Sequence, residues 1–241
     1  MRLTIALKVL VALYLASSYK SLPLAYFFRF FNQVFQLLIV PYIKKKLGFT
    51  VKLGPPIKNE GPNLAIFTPQ VFKTYNSPFE CDMFFHKSNS TYFTELDIVR
   101  TRLMCTIFGE FFLQYYGRHG SFPYVPVSAV QATFKKEIKP YSRYNVVSRI
   151  VAWDNKWIFI LSKFILPGQN DRTSCTAITR YILKQGRKTI EPREAMKACG
   201  LYSKEAEEIS QKNFAMVEDF LNTGDIQDVD LYIPEVIPAR D

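Results

Sequence analysis

The residues best suited to chemistry lie together between Glu80 and Tyr92, in the order Glu-Cys-Asp-Met-Phe-Phe-His-Lys-Ser-Asn-Ser-Thr-Tyr. Two carboxylates (Glu80 and Asp82), one histidine (His86) and one asparagine (Asn89) fall directly ahead of a strong helical pattern. Acid/base groups are thus placed at a helix N-terminus, where free backbone N–H groups and the macrodipole favour developing negative charge. The alternative is purely structural: Asp82 and His86 only cap and fasten the connection, since buried polar groups must be paired. Downstream, Glu95 and Asp97 stand near Arg100 on the helix, and Asp97–Arg100 reads as a surface pair.

The elements around this stretch read as strand, helix, then meander. Ala65 to Tyr75 is strand-like. From Thr91 to Phe108 the pattern is helical, with Tyr92, Leu96, Val99, Leu103 and Ile107 on one face and Gly109 as the stop. Strands follow at Val125–Ile138, Arg143–Trp153, Trp157–Leu166 and Ser174–Lys184, with Asp154-Asn155-Lys156 as a tight hairpin. Several are apolar on both faces, as in Trp157 to Leu161, which predicts a sheet covered on both sides. A long helix wrapped by an antiparallel sheet fits this order. A short helix from Pro192 and a longer one after Ser203 would pack outside it.

Composition narrows the partners. The chain has 241 residues and a formal charge of +10, unevenly placed: residues 191–241 hold twelve acidic and five basic side chains. The basic remainder suits an anionic lipid or the phosphates of coenzyme A. No Lys/Arg cluster alternates with aromatics as an RNA platform requires, so nucleic acid is not expected. Cys81, Cys105, Cys175 and Cys199 are scattered and the only histidines are His86 and His119, so no metal site is expected. Widely separated thiols suit a reducing compartment.

No acidic residue precedes Glu60. Leu3 to Ser18 is apolar but for Lys8. Leu24 to Ile43 is apolar except for one helical stripe, Arg29, Asn32, Gln33 and Gln36, followed by Lys44-Lys45-Lys46. Residues 1–50 are therefore expected to supply N-terminal membrane helices, spanning the bilayer or lying in its interface, the alternative being a buried helix of a larger globular core. By the positive-inside rule the folded part stays on the cytosolic or matrix side of an endoplasmic-reticulum or mitochondrial membrane. The sequon Asn89-Ser90-Thr91 also disfavours a luminal domain, because a glycan there would block the motif. A linker at 51–62, a folded domain at 63–190 and an acidic helical extension at 191–241 complete the organisation.

The strand leading into Asp82, His86, Asn89 and Tyr92, the helix carrying Glu95, Asp97 and Arg100, and the hairpin Ala152-Trp153-Asp154-Asn155-Lys156-Trp157 together resemble the hotdog-fold acyl-CoA thioesterase-like superfamily. The membrane-anchored group known as thioesterase superfamily member six and its fungal relatives is the most similar. The match runs from about Thr68 to Lys184. Glu80 stands where Asp is usual, and Ser88 replaces the first Asn of a pair. The resemblance implies an α+β hotdog fold working as a homodimer on acyl-CoA or another acyl thioester. Coenzyme A would be part of the substrate, with no further cofactor. It implies Asp82 as nucleophile or general base, Asn89 positioning the acyl group or water, His86 orienting the loop, and helix-start amides stabilising the oxyanion. Glu95 is a reserve acid, because some relatives carry theirs on the helix. Lys135, Lys136 and Arg143 are available to coenzyme A phosphates. The expected activity is thioester hydrolysis in lipid metabolism. The alternatives are a non-catalytic lipid-binding or scaffold protein of the same shape, or a hydratase acting on the acyl chain.

Overall fold

The computed structural model describes residues 2–57, 63–168 and 172–223. Part of the linker (58–62), part of one turn (169–171) and the end of the acidic extension (224–241) lie outside the described residues. The chain opens with α1 (Arg2–Ser17), a 3-10 turn at Tyr19–Ser21 and α2 (Ala25–Val34), which passes through a π-helical turn at Phe35–Ile39 into α3 (Val40–Lys46). Strand β1 (Gln70–Tyr75) leads through a short 3-10 turn to α4 (Asn89–His119). Then come β2 (Val127–Phe134), β3 (Arg143–Trp153), β4 (Trp157–Leu166), β5 (Arg172–Gln185), β6 (Lys188–Ile190), α5 (Pro192–Ala198) and α6 (Lys204–Thr223).

The sheet is antiparallel in the order β1-β3-β4-β5-β2, with β6 paired to the end of β5. Its concave face holds α4, whose Tyr92, Leu96, Val99, Leu103 and Ile107 are all buried. Each such side chain contributes ~1.5–3 kcal/mol on burial, which fixes the helix across the sheet. This is the expected α+β arrangement of a long central helix wrapped by an antiparallel sheet. The other face is covered in part by α6. There Phe214 packs edge-on against Phe159, and Asn213 donates to the Val151 carbonyl at 2.9 Å. Val151 sits where the β3–β4 register slips, so its carbonyl has left the ladder and needs such a donor.

Two local readings are corrected. Gly109 does not end α4, which bends at Phe108 (φ −103°, ψ 16°) and continues to His119. The side chains of Leu38 and Leu53 pack beside the glycine, about 3.6–3.7 Å from where a Cβ would stand, which is ordinary contact distance. Residues Ala65–Phe67 form a buried 3-10 turn rather than the start of the strand.

The expectation of membrane-crossing N-terminal helices is also corrected. Among the described residues no helix is long and apolar enough to cross a membrane. At 1.5 Å per residue the sixteen residues of α1 reach about 24 Å, short of a ~30 Å hydrocarbon core. The polar stripe of α2 is divided: Arg29 turns inward onto α4, while Asn32 and Gln36 are exposed. The exposed face of this segment is mainly aromatic, with Leu24, Phe27, Phe28, Phe31 and Phe35 following helical spacing.

Candidate active site

The segment from Asn76 to Ser88 joins β1 to α4 and is held by its own polar groups. Buried Asn76 donates to the Ile138 carbonyl at 2.8 Å, and the Lys87 amide donates to the same oxygen at 2.9 Å. The Ser88 amide donates to the Glu80 carbonyl at 2.8 Å, which sets the start of α4. Between these anchors the loop turns tightly. The Asp82 amide bonds the His86 carbonyl, the Asp82 Oδ1 accepts the Phe84 amide at 3.0 Å, and Phe85 takes a positive φ of 58°.

That turn brings Asp82 and His86 together. Asp82 Oδ2 lies 3.5 Å from His86 Nδ1, and both side chains are half-exposed. On the other side of the ring, Nε2 is 3.9 Å from a Glu137 carboxylate oxygen, and Phe84 stacks on the imidazole. Asn89 is exposed at the first position of α4, where helix-start amides have no intrahelical acceptor. An accessible carboxylate and a histidine therefore lie just ahead of the Asn89 and Ser90 amides, while the Thr91 amide donates to the Ser88 carbonyl. This set can activate water or attack a carbonyl, and can stabilise the oxyanion that results. The tip of the loop, Met83-Phe84-Phe85, is apolar and exposed. Exposed Lys135 and Lys136 belong to the β2–β3 connection that carries Glu137 toward His86. Arg143 lies apart, at the start of β3 beside Tyr75.

Glu95 belongs to a different set. It is fully buried, and its carboxylate is held by Arg29 and by Lys20 Nζ at 3.1 Å. Lys20 also lies 3.1 Å from Glu80 and donates to Thr74, while Lys87 Nζ donates to Glu80 at 3.0 Å. Burial alone would raise the Glu95 carboxyl, but Lys20, Arg29 and Lys87 together hold it below its ordinary value. Burial lowers Lys87, against the pull of Glu80. Glu80, the departure from the usual Asp, is thus an internal ion-pair partner. In the sequence Lys20 and Arg29 stand out as cations in an otherwise apolar, acid-free segment, but nothing there points to buried carboxylates so far along the chain.

Tyr92 hydrogen bonds Ser174 at 3.0 Å, and burial pushes its hydroxyl up to about 12, so it serves as a neutral partner and not a base. Arg100 is not at the surface: it is buried, bonded to Asp97 and to Thr179 Oγ1.

The thioesterase-like superfamily model matches residues 77–199. A probable thioesterase of Saccharomyces cerevisiae is 46% identical over 212 residues, covering 87% of each chain. A thioesterase of Purpureocillium lilacinum is 34% identical over 152 residues, which are 56% of this chain and 49% of that one. Among solved structures, 4-hydroxybenzoyl CoA thioesterase in complex with 4-hydroxybenzoyl CoA is 12% identical and covers 54% of this chain and 98% of its own, at a TM-score of 0.44. A hypothetical protein from Thermus thermophilus is 18% identical, covers 57% and 100%, and has a TM-score of 0.46. The matched residues 77–199 start in the Asp82–His86 loop and run through the helix and sheet behind it. On those matches, the chain belongs to the thioesterase-like superfamily.

Proposed function

We propose that the protein hydrolyses fatty acyl-CoA thioesters, with Asp82 as the general base or nucleophile. The observation that carries this reading is the half-exposed Asp82–His86 pair at the start of α4. In this role Asp82 takes a proton from water, or attacks the thioester carbonyl directly. His86 orients the Asp82 loop. The first amides of α4 meet the oxyanion, and Asn89 positions the acyl group or the water. Lys135 and Lys136 are placed to meet the coenzyme A phosphates. The test is release of free coenzyme A thiol from a panel of acyl-CoAs by the full chain. Asp82→Asn should lower turnover by about 10²–10⁴-fold, the usual span of acid–base catalysis, with the melting transition retained. Full activity in that variant rejects the mechanism. Ligand that binds and is returned unchanged by the native protein supports the non-catalytic lipid-binding alternative instead.

The same reading places the protein on a membrane, on the cytosolic or matrix face of the endoplasmic reticulum or mitochondrion. What supports it is α1, whose Ile5, Leu7, Val9, Leu10, Val11 and Leu13 are all exposed, together with the phenylalanine face of α2 and the exposed Lys44-Lys45-Lys46. A helix apolar all round needs an apolar neighbour. In-plane docking with lysines at the headgroups meets that need without a crossing helix. A homodimer joined along β2 is part of the proposal: β2, like β1, ends the strand order, and among the described residues β5 is its one strand neighbour.

A further inference from the structure

A cavity of about 420 Å³ lies between α2 and the central helix α4, within the ~300–1,000 Å³ range of small-molecule sites. One wall is α2 and the π turn after it, through Tyr26, Phe30, Val34 and Leu38. The facing wall includes Met104, Cys105 and Phe112 of α4, with Phe122 and Pro123 behind. The four residues of the first wall are four apart. Over three such steps an α-helix of 3.6 residues per turn would rotate its line of side chains away. The π turn at Phe35–Ile39 is more loosely wound, and Leu38 remains buried against the cavity, close to Gly109.

The two helices run in the same direction. Tyr26 lies by Asp97 near the start of α4, and Leu38 meets Gly109 further along. From Tyr26 to Leu38 the wall rises about 18 Å, so the lining extends along both helices. Its polarity is graded. Tyr26, Asp97, Arg100 and Thr101 gather at the end nearer the Asp82 loop, and the far end is apolar. Arg100 is buried and lines this end, and its Nε has no hydrogen-bond partner among the described residues.

We propose that this cavity binds one long, unbranched acyl chain, its oxygen-bearing end beside Arg100 and its tail running toward Phe112. An extended chain can follow the run of lining side chains from Tyr26 to Leu38. The inference rests on the acyl-thioester reading above, but the α2 wall lies outside residues 77–199, so this chain's own N-terminal segment supplies it. The helix that closes the cavity also exposes Phe27, Phe28 and Phe31 outward. The chain can therefore arrive from a bilayer or from the aqueous acyl-CoA pool.

The experiment uses the full-length protein and the fluorescent fatty acid cis-parinaric acid, offered free in solution or dissolved in phosphatidylcholine vesicles. Val34→Trp and Met104→Trp each fill the cavity and should weaken binding of the free probe at least about tenfold. Loss of contact for two methylenes already reaches that factor at ~0.8 kcal/mol each. Melting curves taken alongside confirm folding. Unchanged affinity in both folded variants overturns the site. Phe28→Ser leaves the lining intact: slowed uptake from vesicles alone identifies the bilayer as the source, and unchanged uptake by both routes identifies the aqueous pool, each with the site standing. Asp82→Asn should bind the probe normally. Probe binding lost only in the tryptophan variants, in a protein that releases no coenzyme A, would reject hydrolysis while keeping the cavity.

Discussion

At the scale of single residues, two carboxylates close in sequence have opposite surroundings. Asp82 is half-exposed beside His86, whereas Glu95 is buried under Lys20 and Arg29. Reaction with a ligand requires the first; the second requires cations to exist inside the fold at all. Glu95 therefore ties stability to pH. Its folded-state pKa is lower than its unfolded value of about 4.5. The unfolded chain thus binds the extra proton, and the stabilisation is present above about 4.5 and lost as pH falls through the folded value. Lys87 is also lowered, so its proton-linked window lies on the alkaline side, below 10.5, and does not overlap. Denaturant unfolding of Glu95→Gln should show lower stability at neutral pH and a flatter decline in acid than the native protein. Parallel acid curves for the two would remove Glu95 from this role.

At the scale of elements, the 3-10 turn after α1 acts as a bolt. Lys20 enters the interior through Tyr19–Ser21 and reaches Glu80 before the helix, Glu95 within it, and Thr74 on β1. Removing one partner of a buried ion pair costs about 3–5 kcal/mol, because the remaining charge loses its compensation. Lys20→Met should therefore lower the melting temperature by roughly 10 °C, given ~2–4 °C per kcal/mol at this chain length. A shift of about one degree or less would show that Arg29 and Lys87 suffice. Elements set by local chemistry were legible in advance. The bounds of β3 and β4 follow from the Asp154 hairpin, where the Asp154 carboxylate accepts the Lys156 and Trp157 amides. The Asp82–His86 contact was not legible, because it is made by a tight loop turn with Phe85 at positive φ and not by helical spacing. What else escaped was long-range or ambiguous. Gly109 reads as a helix stop, but it lies inside α4, where Leu38 and Leu53 from elsewhere pack beside it. Ala65–Phe67 reads as strand because a short apolar run has no telling period. The Arg29–Glu95 pair joins residues 66 apart in the chain, and no pattern within either helix reveals it.

At the scale of the whole molecule, charge and apolar surface are arranged asymmetrically. The N-terminal helices expose Leu, Phe, Val and Ile beside basic residues, and twelve acidic residues lie beyond residue 190. The apolar tip Met83-Phe84-Phe85 stands at the rim of the Asp82 site. A bilayer that takes up α1 and the outer face of α2 would gain apolar contact from phenylalanines that no part of the described structure covers. Lys44-Lys45-Lys46 would add about 1 kcal/mol each on an anionic surface. Binding should therefore have two separable components. In vesicle flotation, the full chain should associate with phosphatidylserine-containing vesicles more than with neutral ones. Changing all three lysines to glutamine should remove that preference and leave a salt-insensitive remainder. Phe28→Ser with Phe31→Ser should reduce the remainder on both vesicle types, without disturbing the inward Arg29–Glu95 pair that fastens the helix. If the double serine variant floats as well as the native chain, the aromatic face is not the part that meets lipid. The edge of β2 would then be the place to look for what covers the exposed surface, and light scattering of the detergent-free variant, by giving one chain mass or two, would decide it.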